Sequence, residues 1–144
     1  MITQSGFQLE VEMQFHPNRI LCVEDDEDTC QMMKALLGMW DYEVVLAKTA
    51  AEGFRLAQSE RFDLYLLDTG IPEESGVSLC ERICELAGHA PVAFISGHAR
   101  EADRLRGLKA GAVAYLTKPV DFDLLQETMA LLIAGERVRN SLAA

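Results

Sequence analysis

Five short apolar runs alternate along the chain with segments of helical period, and this alternation constrains the fold more than any other feature. The runs lie at residues 20–23, 44–47, 64–67, 91–95 and 112–116. Because each run is apolar throughout, it is typical of a strand buried on both faces of a parallel sheet. The segments between them space apolar residues as amphipathic helices do. The pattern predicts an α/β fold, a doubly wound (βα)5 sandwich with a five-stranded parallel sheet.

Local signals mark where the predicted helices begin and end. Thr49 and Glu52 form a capping box that starts one helix, Gly88 is well placed to end the next, and Asp121 caps the last. The last helix bears four large apolar residues, Leu124, Leu125, Met129 and Leu132.

The 144 residues are enough for one compact domain. We assign residues 18–134 to it, with an N-terminal extension at 1–17 and a C-terminal tail at 135–144. The short tail leads us to expect a stand-alone domain with no output domain attached. In the extension, apolar and polar residues alternate between Phe7 and Phe15. This period of two predicts an extra strand, or an arm that pairs with a second copy in a homodimer, and an untethered leader is the alternative.

Composition excludes several classes of function. With 13 basic and 23 acidic residues, the formal charge of -10 has the wrong sign for binding nucleic acid. No run approaches the roughly 18 apolar residues of a membrane span, and no signal peptide starts the chain. The four cysteines lack disulfide or zinc spacing. We therefore expect a cytoplasmic protein that uses neither nucleic acid nor a membrane as its partner.

Polar residues stand where the predicted strands end. Glu24 and Asp25 follow the first run, Asp68 ends the third, Ser96 ends the fourth, and Lys118 follows the fifth. In open parallel sheets the ligand crevice lies beyond the carboxyl ends of the strands. If the sheet has the flavodoxin-like strand order, all five residues face one cleft.

The chemistry of these residues suits phosphoryl transfer. Three carboxylates at one rim repel one another unless a cation lies among them, and hard oxygen ligands on an open site suit Mg²⁺. Lys118 can reach one phosphoryl oxygen and Ser96 can donate a hydrogen bond to another. Asp68 is then placed to attack phosphorus and form an acyl phosphate.

Four segments, residues 19–26, 62–68, 91–97 and 111–119, together resemble the receiver domain of two-component response regulators. The resemblance extends from residue 19 to about residue 134. It implies that Asp68 accepts a phosphoryl group from a histidine kinase or phosphotransfer protein. It also implies that Asp25, Asp68 and the backbone carbonyl of Gly70 bind Mg²⁺, with Glu24 acting mainly through water.

The same resemblance implies a switch. Ser96 would swing toward the phosphoryl group while Tyr115 turns inward, and the Lys118–Pro119 bond would be cis. Phosphorylation would bias the elements from the fourth strand to the last helix, and the signal would leave through a downstream protein partner on the Arg100 to Ala134 face. Relay and effector roles are not separable from the sequence.

Two features depart from the family pattern. Gly70 has no side chain to shield an acyl phosphate, and His98 lies two residues after Ser96, where it could block or orient water. We predict that substitutions at Gly70 or His98 change the dephosphorylation rate more than the phosphorylation rate. Val113 and Ala114 stand where DNA-binding relatives often have an acidic pair, which argues against their ion-paired dimer.

Three alternatives start from the same residues. Leu-Leu-Asp-Thr-Gly at 66–70 also occurs in aspartic proteases, but those need a scaffold built almost wholly of strands. A metal-dependent phosphohydrolase usually has a second acid where this chain has Gly70. A phosphorylation-independent binding module would keep the fold without the chemistry.

Overall fold

The computed structural model describes residues 16–71 and 73–143, with side chains described as far as residue 136. Within these described residues, five strands and five helices alternate. The strands are β1 (Arg19–Val23), β2 (Glu43–Ala47), β3 (Leu64–Leu67), β4 (Val92–Ser96) and β5 (Ala114–Thr117). The helices are α1 (Glu27–Met39), α2 (Ala50–Ser59), α3 (Gly76–Cys84), α4 (Glu101–Lys109) and α5 (Phe122–Ala143). The N-terminal strand or arm predicted between Phe7 and Phe15 lies outside the described residues.

The five strands form one parallel sheet in the order β2-β1-β3-β4-β5. This is the flavodoxin-like order, and it confirms the predicted fold class. The chain crosses from β1 to β2 on one side and then back to β3 on the other, so the strand order reverses at β1. The ends of β1, β3 and β4 therefore lie side by side.

Successive strand residues point into two apolar cores on opposite faces of the sheet. In β1, Leu21 and Val23 belong to the core that contains residues of α2 and α3. Ile20 and Cys22 belong to the core that contains residues of α1 and α5. All four are buried. A strand with apolar residues on both faces has two cores to fill, which explains why these runs do not alternate with polar residues.

Both predicted N-cap residues accept a hydrogen bond at their helix starts, whereas the Glu52 carboxylate of the predicted capping box accepts from the Lys48 N–H at 3.4 Å rather than from Thr49. Thr49 Oγ1 accepts a hydrogen bond from the Glu52 N–H at 3.1 Å, and Asp121 Oδ1 accepts one from the Leu124 N–H at 3.0 Å. Each bond satisfies a backbone donor that the first helical turn leaves without a partner. Helix α5 then continues to Ala143, through residues assigned from sequence to a tail.

Besides the longer α5, two element boundaries differ from the sequence-based expectation by two residues or more. Helix α3 ends at Cys84, and Gly88, with φ of 68°, lies in the turn that follows rather than at the end of the helix. Strand β5 begins at Ala114, two residues later than expected. The Ala112 N–H still bonds to the Gly107 carbonyl at 3.2 Å, so the turn after α4 is longer than the apolar run suggests.

Across the described parts of the chain, no helix combines the length and the apolar character needed to cross a membrane.

Candidate functional site

The strand register brings the predicted polar residues to one edge of the sheet. Val23 pairs with Leu67, so the residues that follow them, Glu24 and Asp68, emerge together, and the Asp68 N–H bonds to the Val23 carbonyl at 3.1 Å. Ser96 is the last residue of β4. The Lys118 N–H bonds to the Ser96 carbonyl at 2.8 Å, which fixes the exit from β5 beside it.

Three carboxylates form a cluster at this edge. Side-chain oxygens of Glu24, Asp25 and Asp68 all lie within 4.8 Å of one another. Glu24 and Asp68 are buried, with 4% and 9% of their surface exposed, whereas Asp25 is exposed. Hard oxygen donors at this spacing, open to solvent on one side, fit a divalent cation such as Mg²⁺ that retains part of its water shell.

Lys118 is the cation of the cluster. Its Nζ lies 3.4 Å from Asp68 Oδ2 and 3.5 Å from Glu24 Oε2. Partial burial by itself would lower the pKa of Lys118, but the negative charges of Asp68 and Glu24 outweigh it and raise that pKa. The Lys118–Pro119 peptide bond is cis, as the family resemblance implied.

One ammonium group does not neutralise this cluster. Burial, together with the hydrogen bond to Asp68 and the charge of that residue, raises the pKa of Glu24 to about 7. Three carboxylates face a single ammonium group, so the site carries an excess of negative charge when they are ionised. A bound cation would relieve this excess, so the charge and the donor set both fit a metal.

The hydroxyl of Ser96 is fully buried and points away from solvent into a set of hydrogen bonds. Its Oγ lies 2.5 Å from Thr69 Oγ1 and accepts a bond from the His98 N–H at 3.0 Å. The His98 carbonyl in turn accepts a bond from the Tyr115 hydroxyl at 2.7 Å. Both predicted switch residues, Ser96 and Tyr115, are therefore joined through His98.

Two glycines shape the segment after Asp68. The Gly70 N–H donates to Asp68 Oδ1 at 3.2 Å, and a Cβ at Gly70 would lie 3.9 Å from that oxygen. A Cβ at Gly76 would lie only 2.2 Å from the backbone oxygen of Asp68 and 2.9 Å from Thr69 Cα. Gly76 therefore permits the start of α3 to pack directly against the backbone of the site.

Sequence reasoning identified the charged residues of the site but missed Thr69 and Gly76. Thr69 follows the central acid directly, yet a threonine in a turn is ordinary, and nothing in the sequence pairs it with a residue 27 positions later. In the sequence, Gly76 is recognisable only as a glycine at the start of a helix, next to the N-cap residue Ser75. That position alone does not reveal a close backbone contact.

An apolar groove of about 270 Å³ adjoins the carboxylates. Met33 of α1, Ile95 of β4 and Val120 before α5 lie along it, and Asp68 and Lys118 lie at its polar end. The exposed side chains Met32 and Phe122, 38% and 45% exposed, also line the groove.

The fold and the acidic site define a class of protein, the receiver domain of two-component response regulators. The family model for the response regulator receiver domain matches residues 20–130, and the chain belongs to this family. The helices and the parallel sheet also exclude the strand-built scaffold on which the aspartic protease alternative depended.

Particular relatives agree with this assignment. The chain is 36% identical over 118 residues to the transcriptional regulatory protein ZraR of Salmonella typhimurium, covering 82% of this chain but 27% of ZraR. It thus spans about a quarter of the length of that relative. A CheY-like receiver domain protein from Methanospirillum hungatei superposes with a TM-score of 0.82 at 31% identity, covering 86% of this chain and 99% of the other.

A third relative bears on the metal. The receiver domain of the sensor histidine kinase PA1611 from Pseudomonas aeruginosa has a TM-score of 0.76 and 29% identity, covering 83% of this chain and 99% of that domain. It was solved with a magnesium ion coordinated in its active site cleft.

Proposed function

We propose that this protein is a phosphorylation-dependent signalling switch in which Asp68 accepts a phosphoryl group from a histidine kinase or phosphotransfer protein. The observation that carries the proposal is the placement of the Asp68 carboxylate. It is buried at the end of β3, with Lys118 Nζ at 3.4 Å and carboxylate oxygens of Glu24 and Asp25 within 4.8 Å. An incoming phosphoryl group meets an aligned nucleophile and a fixed positive charge, which are the main requirements of phosphoryl transfer.

The reaction would proceed by attack of an Asp68 carboxylate oxygen on the phosphorus of a phosphohistidine. A new P–O bond forms while the P–N bond of the donor breaks. The leaving imidazole nitrogen keeps the bonding electron pair and then takes up a proton. Lys118 stabilises the negative charge on the phosphoryl oxygens, and the hydroxyl of Ser96 donates to another of these oxygens once it has turned toward the group.

Asp25, Asp68 and the backbone carbonyl of Gly70 would hold Mg²⁺, with Glu24 binding through water. When bound, the ion neutralises charge on the phosphoryl oxygens. The carboxylate cluster and the raised pKa of Glu24 support this assignment.

The apolar groove beside Asp68 is a suitable contact for the phosphodonor protein. Met32 and Phe122 expose apolar surface within reach of the acceptor carboxylate. A donor histidine presented from a helix with an apolar face would bury this surface as it approaches.

Signal output is proposed to use the face built from residues 100–134. Four large apolar side chains there are about half exposed or more: Leu105, Val113, Leu124 and Leu131. Because Tyr115 lies on this part of the molecule and connects to Ser96 through His98, phosphorylation at Asp68 can change the face that a protein partner contacts.

The output face can be tested by NMR. The changes in amide chemical shift on adding beryllofluoride, a phosphoryl mimic, should be largest on β4, α4 and β5 and in the adjoining loops. Shifts confined to α2 and β2 would contradict the proposed output face.

The direct test is phosphorylation by a small donor. The protein is incubated with Mg²⁺ and acetyl phosphate, and intact mass spectrometry should detect one added phosphoryl group. The group should be absent from Asp68→Ala and present in Asp28→Asn, a control that removes an exposed carboxylate at the start of α1. Label that persists in Asp68→Ala, or that never appears in the parent, would refute the proposal.

A further inference from the structure

A continuous chain of hydrogen bonds connects Thr69, Ser96, His98 and Tyr115. The two hydroxyl oxygens of Thr69 and Ser96 are 2.5 Å apart, the His98 N–H donates to Ser96 Oγ at 3.0 Å, and the Tyr115 hydroxyl donates to the His98 carbonyl at 2.7 Å. The chain begins one residue after the proposed phosphoryl acceptor and ends on the proposed output face. Its first bond, between Thr69 and Ser96, is the one that has no role in the proposed chemistry.

Thr69 is the fixed end of this chain. The start of α3 packs against its backbone, since a Cβ at Gly76 would lie 2.9 Å from Thr69 Cα, and the Gly76 N–H bonds to the Thr69 carbonyl at 3.3 Å. Residues 97–100, which follow Ser96, are by contrast exposed. A Cβ built on Gly97 meets nothing within 4 Å. The loop after Ser96 therefore has room to move, whereas α3 packs directly against the backbone of Thr69.

The Ser96 hydroxyl has a single proton to donate, and neither of its described hydrogen bonds is to Asp68. The swing of Ser96 toward a phosphoryl group on Asp68, which the proposed function includes, would break its contact with Thr69 Oγ1. The bond to Thr69 thus exists in the unphosphorylated arrangement and is lost in the phosphorylated one. A contact present in one of two states shifts the equilibrium toward that state by its own free energy.

We propose that Thr69 is a positioning residue that holds Ser96 in the unphosphorylated arrangement and so limits how readily the switch turns on. The inference rests on the proposed function of Asp68 and adds a regulator of the same site. A net hydrogen bond of ordinary strength corresponds to a change of about threefold to tenfold in the equilibrium between the two arrangements. Without the Thr69 hydroxyl, the protein should bind a phosphoryl mimic more tightly by that factor.

The test compares beryllofluoride affinity, in the presence of Mg²⁺, among variants of the full chain by ¹⁹F NMR titration. Thr69→Val replaces the hydroxyl with a methyl group of similar size, and Ser96 keeps its bond from the His98 N–H. This variant should bind about threefold to tenfold more tightly than the parent. Thr69→Ser, which keeps a hydroxyl, should restore the parent affinity to within about twofold.

A double-mutant cycle shows whether Thr69 acts through Ser96. In the Ser96→Ala background the Thr69→Val substitution should change the affinity by less than about twofold, because the bond is already absent. A tightening that persists in that background would overturn the inference. So would a Thr69→Val variant that binds no more tightly than the parent, or more weakly.

A second measurement follows the end of the chain of bonds without any ligand. The His98 amide and the Tyr115 ring resonances of free Thr69→Val should lie closer to their positions in the beryllofluoride-bound parent, and unchanged positions would count against the inference.

The same titrations distinguish failure of the proposed phosphoryl-acceptor function from failure of the role proposed for Thr69. A parent protein that never binds beryllofluoride at Asp68 would overturn the phosphoryl-acceptor role itself. A parent that binds, beside a Thr69→Val variant that matches it, would overturn only the role of Thr69.

Discussion

The close approach of Gly76 to the site predicts an unusual sensitivity to the smallest possible side chain. In Gly76→Ala the new Cβ would lie 2.2 Å from Asp68 O, 2.9 Å from Thr69 Cα and 3.0 Å from Asp68 C. All three are backbone atoms, which cannot move aside as the tip of a flexible side chain can. To restore ordinary contact distances, α3 and the segment after β3 would have to separate by about 1 Å. Overpacking of this kind costs about 3 kcal/mol of unfolding free energy.

A matched glycine-to-alanine substitution in α1 should change the stability of the protein in the opposite direction. Gly38 lies inside α1, and a Cβ there meets nothing within 4 Å. Gly38→Ala should therefore stabilise the protein by about 1 kcal/mol, because alanine loses less backbone entropy in a helix. For a domain of this size 1 kcal/mol shifts the melting temperature by about 4 °C. We expect Gly76→Ala to lower it by about 10 °C and Gly38→Ala to raise it by about 4 °C.

The assay is thermal unfolding followed by far-ultraviolet circular dichroism, with all variants measured in the same buffer without Mg²⁺. Folded Gly76→Ala should also be phosphorylated more slowly by acetyl phosphate, since the displaced backbone carries Asp68. A Gly76→Ala variant as stable as the parent would refute the steric argument. Equal losses in both variants would show that the effect belongs to glycine replacement in general and not to this contact.

Four further predictions concern the site and the thiols. Lys118→Met should slow phosphorylation by acetyl phosphate about a hundredfold, since it removes a fixed positive charge from the transition state; a rate within about threefold of the parent would contradict this. Asp25→Asn should reduce the rise in melting temperature that millimolar Mg²⁺ produces in the parent, because the ion stabilises only the state that binds it; an unchanged rise would exclude this ligand. Substitution of Gly70 or His98 should change the decay rate of the phosphorylated protein more than its rate of formation, measured by mass spectrometry over time, and equal changes in both rates would contradict that prediction. Burial raises the pKa of Cys22 to about 12, so its thiol should stay neutral and resist iodoacetamide from about pH 7 to about pH 9. In urea the same thiol should react as an ordinary cysteine does, faster as the pH rises. Rapid labelling of Cys22 in the native protein would contradict its buried placement.

The fold could be predicted from the sequence because each strand carries its own signal. β3 was predicted at its observed limits, since a fully buried strand bounded by Asp63 and Asp68 has sharp ends. The start of β5 was predicted two residues too early, because Ala112 is apolar and buried but still bonds to the end of α4. In α5 the pattern did not decide which leucine packs inward, and Leu125 is buried while its neighbour Leu124 is 48% exposed.

The charged part of the site was also predictable, for a topological reason. In a parallel sheet of flavodoxin-like order, residues that follow β1, β3 and β5 must emerge at the same edge. Glu24 and Asp68 follow neighbouring strands, whereas Lys118 follows β5, two strands away from β3, so its long side chain must extend back toward Asp68. The distances of 3.4 and 3.5 Å from Lys118 Nζ to the two carboxylates depend on how the segment after β5 directs that side chain, which the order of the strands does not specify.

The sequence by itself determined the class of fold, the strand ends at which the site lies and the residues able to carry its chemistry, because hydrophobic periodicity and the residues that follow each strand are local features. The strand order, on which the meeting of these residues depends, is seen in the structure. The tertiary structure alone decided how the site is held in one state. The hydroxyl contact of Thr69 with Ser96 and the backbone contact of Gly76 with Asp68 depend on ångström-scale placement of two loops and a helix start. Such placement results from packing across the whole domain, and no local pattern of residues encodes it.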